Sequence, residues 1–243
     1  PTLRARLTAF GDALLAASPP IAGLDRSIVI DPRRVHLTLG VMRLEKEDAA
    51  ATACGKDANA DPPKKTTSTA LALLRSLAPQ LVELGPARVD LERLGVLKTQ
   101  KGGREANVLW VGPRGEGEGE REAAGSGGGG AKPSSLHAIA DLVHQTFRRE
   151  GYITETRPLK LHVTLLNTTH RKKPRRRLAF SYTDVLQSEA VKLLAPSAQA
   201  VFVVPRHPIP ISLGSYGVRA VHLCEMGSHG PDNEYVSIGC VEF

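Results

Sequence analysis

Two short stretches of this chain carry the residue types that acid–base chemistry on a phosphodiester needs. Val35-His36-Leu37-Thr38-Leu39 and Leu161-His162-Val163-Thr164-Leu165 repeat one pattern, apolar-His-apolar-Thr-apolar. The period-two alternation predicts that each is a β-strand. Residues two apart on a strand point to the same side, so each His shares a face with its own Thr. The match extends backwards, with Arg34 two before His36 and Lys160 two before His162. Side by side, two such strands present a pair of imidazoles flanked by hydroxyls and cations. Imidazole titrates near neutrality, so a neutral ring can take a proton from water while a protonated one donates to a departing ribose oxygen. Thr38 and Thr164 are placed to donate to non-bridging phosphate oxygens, and Arg34 and Lys160 to add positive charge there. This chemistry asks for no metal or other cofactor, and no clustering of His, Cys and carboxylates suggests a metal.

The tripeptide alone is weak evidence in a chain with eight His. A third copy, His144-Gln145-Thr146, lies where Leu136, Ile139, Leu142, Val143 and Phe147 recur at helical spacing. Residues two apart on a helix do not face each other, so His144 and Thr146 cannot cooperate. The two strand copies are set apart by their apolar neighbours.

The elements that must position these motifs follow from the remaining pattern. Residues 2–17 predict an amphipathic helix with Leu3, Leu7, Phe10, Leu14 and Leu15 on one face, stopped by Pro19 and Pro20. Ile28 to Ile30 leads into the first motif strand, which runs to about Leu44. Thr66 or Thr67 caps a helix from Ser68 to Leu84, closed by Gly85-Pro86. Strands are expected at 87–97 and 106–111, joined by a basic turn, then a helix at 135–150 ahead of the second motif. A helix over 180–194 and strands near 200–204, 218–225 and 235–243 complete the second half. Residues 45–65 and 112–134 are polar, Gly-, Pro- or charge-rich, and are expected to be disordered loops within one domain spanning residues 1–243. A helix followed by a motif strand occurs in each half, the trace of a duplication. The expected fold class is α+β: two lobes, each an antiparallel-rich sheet with helices outside, and one motif strand of each lining a central cleft.

Composition narrows the class of protein. Apolar residues make up 41% of the 243, enough for a sizeable core, whereas aromatics at 4% leave few candidates for base stacking. Tyr152, Phe180, Tyr182 and Phe202 are read as core. The net charge of +7 and pI near 9.5 favour an anionic partner. Three dispersed cysteines (Cys54, Cys224, Cys240) form neither a disulfide framework nor a zinc pattern. No apolar run has the length of a membrane span.

At this point the chain resembles a known group. Paired H-x-T motifs on strands, one per lobe, characterise the 2H phosphoesterase superfamily, which includes 2′–5′ RNA ligase-like proteins and cyclic phosphodiesterases. The stretches His36 to Met42 and Leu159 to Thr168, the helix Ala70 to Leu81 and the closing Ser237 to Phe243 resemble one eukaryotic branch. That branch holds the phosphoesterase domain of activating signal cointegrator complex subunit 1 and the nuclear-localisation-signal domain of A-kinase anchoring protein 7. The resemblance implies a metal-independent phosphoesterase acting on 2′,3′-cyclic phosphodiesters or RNA ends, with His36, His162, Thr38 and Thr164 as its catalytic residues. It equally implies a second reading, a non-catalytic module that binds an AMP-like nucleotide or RNA within a larger regulatory protein. Either way the expected partner is RNA or a nucleotide with a phosphate, in a monomer located in nucleus or cytoplasm, with a regulatory protein complex as a further partner. The resemblance also implies a β-strand ahead of the first helix, expected to be missing or upstream of Pro1.

The run His170 to Arg177 packs six cations just after the second motif. Three readings stand for it: a solvated loop, a nuclear localisation signal, or a contact to the RNA backbone through Arg171, Lys172, Arg175 and Arg176.

Overall fold

Thr2 caps the first helix by accepting the Ala5 amide, and α1 (Leu3–Leu15) buries Leu7, Phe10 and Leu14 along one side. A computed structural model describes residues 2–47, 64–114, 134–171, 178–195 and 208–243 of the chain. Thr66 opens α2 (Thr67–Ser76) with a capping box closed by Thr69. The single helix expected over 68–84 is two, because α3 (Ala78–Leu84) restarts at Pro79. Proline offers no amide to the preceding turn and its ring clashes with the carbonyl four residues back, so the helix breaks at Leu77. The amphipathic α4 (Ser135–Arg149), expected at 135–150, is capped by Ser134.

The strands are antiparallel. β1 (Ala87–Gln100), β2 (Glu105–Gly112), β3 (Val163–Asn167), β4 (Phe180–Ser181) and β5 (Ile209–Val218) form one sheet in the order β3-β2-β1-β5, with β4 also on β2. β6 (Ala220–Cys224) and β7 (Ser237–Glu242) pair separately as a hairpin. The molecule is therefore α+β, with two antiparallel sheets and helices packed on them. Leu91, Leu94, Leu109, Leu166 and Leu213, all fully buried, fill the space under the larger sheet. Each such side chain contributes roughly 1.5–3 kcal/mol relative to exposure.

Several expectations change. The 180–194 helix is a short strand, β4, followed by α5 (Tyr182–Gln187) and α6 (Glu189–Lys192), because Ser188 is extended between them. β5 was not foreseen; its alternation reads Ile209, Ile211, Leu213 and then lapses into Gly and Ser. The strand expected at 200–204, and most of the loops expected at 45–65 and 112–134, lie outside the described residues.

The largest change concerns the first motif. Residues 35–44 form no strand, and the first ladder contact after it is the isolated bridge Glu45–Thr66. The alternation nevertheless holds at Val35, Leu37 and Leu39, which pack against the core, while His36 is exposed. Period-two patterning dictates which side of an extended segment meets the core. It says nothing about whether a neighbour offers amides and carbonyls to pair with.

Candidate functional site

The second motif is built on β3. Leu161, Val163 and Leu165 are buried, while His162 and Thr164 between them are half-buried on the opposite side. On that side Thr164 faces Trp110 of β2, which in turn faces Gly95 of β1. Glycine is required at this position: a Cβ on Gly95 would lie 2.5 Å from the indole ring. The indole so accommodated stands edge-on to His162, with ring centroids 6.2 Å apart. The Lys160 ammonium lies over the same indole, 4.2 Å from a ring centroid.

A bulge shapes the junction between the two motifs. The β2–β3 register slips between Leu109 and Trp110, leaving Leu165 as the extra residue. Its carbonyl accepts the Ile30 amide at 2.9 Å, and Val29 bridges Leu166. The chain thus approaches the first motif running antiparallel to the second, then turns at 31–34. Val35 and Leu165 line one crevice against Leu7, Phe10 and Leu14 of α1. Each has its motif histidine or threonine as next neighbour in sequence, on the opposite side.

The first motif repeats the arrangement of the second with other residues. Tyr235 stands edge-on to His36, ring centroids 5.0 Å apart, and the Arg34 guanidinium lies 4.0 Å over the same tyrosine ring. Each motif is therefore a cation, an aromatic ring and an imidazole in contact. A second feature is shared. His36 Nδ1 contacts the Arg34 carbonyl at 2.9 Å, and His162 Nδ1 contacts the Lys160 carbonyl at 2.7 Å. A carbonyl oxygen only accepts, so Nδ1 carries the proton in each ring and Nε2 is left to exchange protons.

The site residues expected from sequence fare differently. His36, Thr38, His162 and Thr164 stand on the accessible side of their segments. Lys160 lies on the cation–aromatic–imidazole trio of its own motif. Arg34 does not project from a strand toward a phosphate. It belongs to the 31–34 turn, is 8% exposed, and donates to the carbonyls of Ser228 (2.9 Å) and Asn233 (2.8 Å). Its work is to hold the β6–β7 loop that carries Tyr235. The same turn is fastened by Asn233, which donates to Asp31 at 2.9 Å. Asp31 also accepts the Arg33 amide, and these two donors hold its carboxyl below the usual aspartate range.

Arg171, expected as an RNA contact, is turned into the protein instead. It is 4% exposed, pairs with Asp25 at 2.6 Å, and donates to the carbonyls of Gly23 and Leu178. Burial raises the Asp25 carboxyl, but hydrogen bonds from Ser27 and Arg171 outweigh it and leave the pKa lowered. Lys172, Arg175 and Arg176 lie outside the described residues. Sequence reasoning missed Trp110 and Tyr235. The glycine opposite Trp110 was a usable signal for the first; nothing local marked the second, since its partners His36 and Arg34 lie at the other end of the chain.

No group of His, Cys, Asp and Glu fit to hold a metal occurs among the described residues, and among them no helix is long and apolar enough to cross a membrane. Comparison with known families finds that residues 1–243 match the model of the AKAP7 2'5' RNA ligase-like domain. Comparison with curated proteins finds no match.

Proposed function

From a chain that belongs to the AKAP7 2'5' RNA ligase-like domain family, we propose a metal-independent phosphoesterase that opens 2′,3′-cyclic phosphodiesters or processes RNA ends. One histidine Nε2 removes a proton from water as its oxygen bonds to phosphorus. The other protonates the ribose oxygen as the P–O bond breaks. Thr38 and Thr164 donate hydrogen bonds to the non-bridging oxygens, and Lys160 adds charge beside them. The observation that carries this reading is the matched tautomer: two imidazoles, each with Nδ1 committed to the carbonyl two residues upstream. A histidine kept only for packing has no need of that repeated geometry. The reaction needs no more than a monomer and belongs to the nucleus or cytoplasm, where RNA ends occur.

The test is turnover of 2′,3′-cyclic-phosphate-ended oligonucleotides and cyclic mononucleotides, with and without EDTA. Turnover that survives EDTA and falls by about 10²–10⁴-fold in both His36→Ala and His162→Ala supports the enzyme. Binding of AMP or RNA with no turnover would replace it by the nucleotide-binding module.

A further inference from the structure

A cavity of about 250 Å³ opens at the end of the larger sheet, where β2 leaves, β3 enters and α4 begins. Trp110, Leu161 and Ala140 wall it, and Arg93, Arg114, Lys160 and His137 line it. Asp141 is the one carboxylate among its lining residues. We propose that this cavity is a subsite for a second phosphate of the substrate, the phosphodiester one nucleotide away from the reacting one. On the phosphoesterase reading above, which this inference rests on and deepens, the substrate class is then an oligoribonucleotide end rather than a cyclic mononucleotide.

Three observations lead there. The first is adjacency. Trp110 forms part of the cavity wall and also faces His162 at 6.2 Å between ring centroids, so the cavity and the second motif share a partition one ring thick. The second is register. Arg93 on β1 pairs with Gly112 on β2, and Gly112 runs beside the second motif: a Cβ there would lie 2.8 Å from the Leu161 carbonyl and 3.5 Å from the His162 Cα. No side chain of β2 therefore stands between Arg93 and the start of β3, although the two strands are separated by about 10 Å, two interstrand spacings.

The third is charge. Arg93 and Arg114 join Lys160, which also serves the reacting phosphate, around a space bearing one carboxylate, and α4 adds the positive end of a helix whose first turn supplies His137. The Arg114 pair with Glu92 is long, 3.7 Å, with both side chains 48% exposed. Such a pair is worth little in water. The reacting phosphate is already provided for by the two threonines and Lys160. Arg93 and Arg114 are cations beyond these, and a second phosphate of the substrate is an anion of the charge they suit. A guanidinium recognises that phosphate by paired, charge-assisted hydrogen bonds.

The experiment compares a 2′,3′-cyclic mononucleotide with the same group extended by two nucleotides on its 5′ side, using the intact 243-residue chain. Wild type is expected to show the higher kcat/KM on the extended substrate. Arg93→Ala and Arg114→Ala are each expected to lower the ratio of extended to mononucleotide kcat/KM by about tenfold, the loss of one charged hydrogen bond. Arg93→Lys should recover part of the ratio. A parallel arm measures binding of an uncleavable 2′-O-methyl trinucleotide 3′-phosphate against salt. Both alanine variants should flatten the slope of log K against log salt by a little under one unit. A ratio and a slope unchanged in both variants would overturn the subsite. If wild type turns over neither substrate, the phosphoesterase reading falls and the binding arm still decides the subsite.

Discussion

His144 Nδ1 donates to the carbonyl of Leu39 at 2.6 Å. The helical H-x-T thus supports the first motif. Residues 35–44 have no strand ladder, so the Leu39 carbonyl, one residue past Thr38, takes its hydrogen bond from a buried side chain of α4 instead. His144→Leu should cost about 1–3 kcal/mol of folding stability, since the carbonyl loses its donor in a partly buried position. It should also lower kcat, whereas His144→Gln, which keeps an N–H donor, should restore much of both. Denaturant titration and steady-state kinetics on the two variants check this. Equal damage from Leu and Gln would mean that the imidazole acts through its shape alone.

The chain has a single tryptophan, and it flanks His162. Gly95→Ala places a methyl 2.5 Å from the indole, so the ring must move away from its seat. Overpacking of this kind typically costs about 1–3 kcal/mol. The variant should show a shifted Trp emission spectrum together with reduced turnover, while Gly217→Ala, in open space and without a positive φ, shifts neither. A normal spectrum with lost activity would separate the indole from the chemistry.

Arg171 should behave as a structural residue. Arg171→Ala leaves Asp25 and two backbone carbonyls without their donor, and about 2–4 kcal/mol of stability should go with it. The salt dependence of RNA binding should keep its wild-type slope once measurements are made below the variant's melting temperature. A flattened slope at intact folding would return this arginine to the RNA interface.

The Asp31 staple gives a pH dependence of known sign. Its carboxyl is held low by the Arg33 amide and the Asn233 side chain, so its contribution is present above the unfolded-state value near 3.9. That contribution is lost as pH falls through the folded-state value. Wild type should exceed Asp31→Ala by up to about 1 kcal/mol at pH 6, the range for an exposed, hydrogen-bonded carboxylate. The gap should close on acidification. Chemical denaturation at a series of pH values measures it, and a gap independent of pH would assign the staple to Arg34 alone.

The second motif, the helices at 2–17 and 135–150 and the strands expected at 87–97 and 106–111 were legible because their signals are local. Thr66 announces its helix within one turn, and Leu161 to Leu165 alternates within five residues. What escaped was non-local. Tyr235 serves His36 only because the β6–β7 loop folds back on the 31–34 turn, and no spacing in the sequence records that meeting. Arg34 and Lys160 look equivalent by position. Turn geometry buries the first among carbonyls while the second stays at a cavity rim. Pro79, by contrast, was visible and under-read: a proline in the fourth turn of a predicted helix is reason enough for two helices.

The fastening of Asp31 and Arg34 to Ser228, Asn233 and Tyr235 also fixes when the first half-site comes into being. During synthesis the His36 segment emerges well before the residues that steady it from the β6–β7 loop. Until that hairpin has left the ribosome, the His36 segment lacks the loop that fastens it. The order of synthesis therefore sets the order of assembly, and the first half-site is completed only once the hairpin closes.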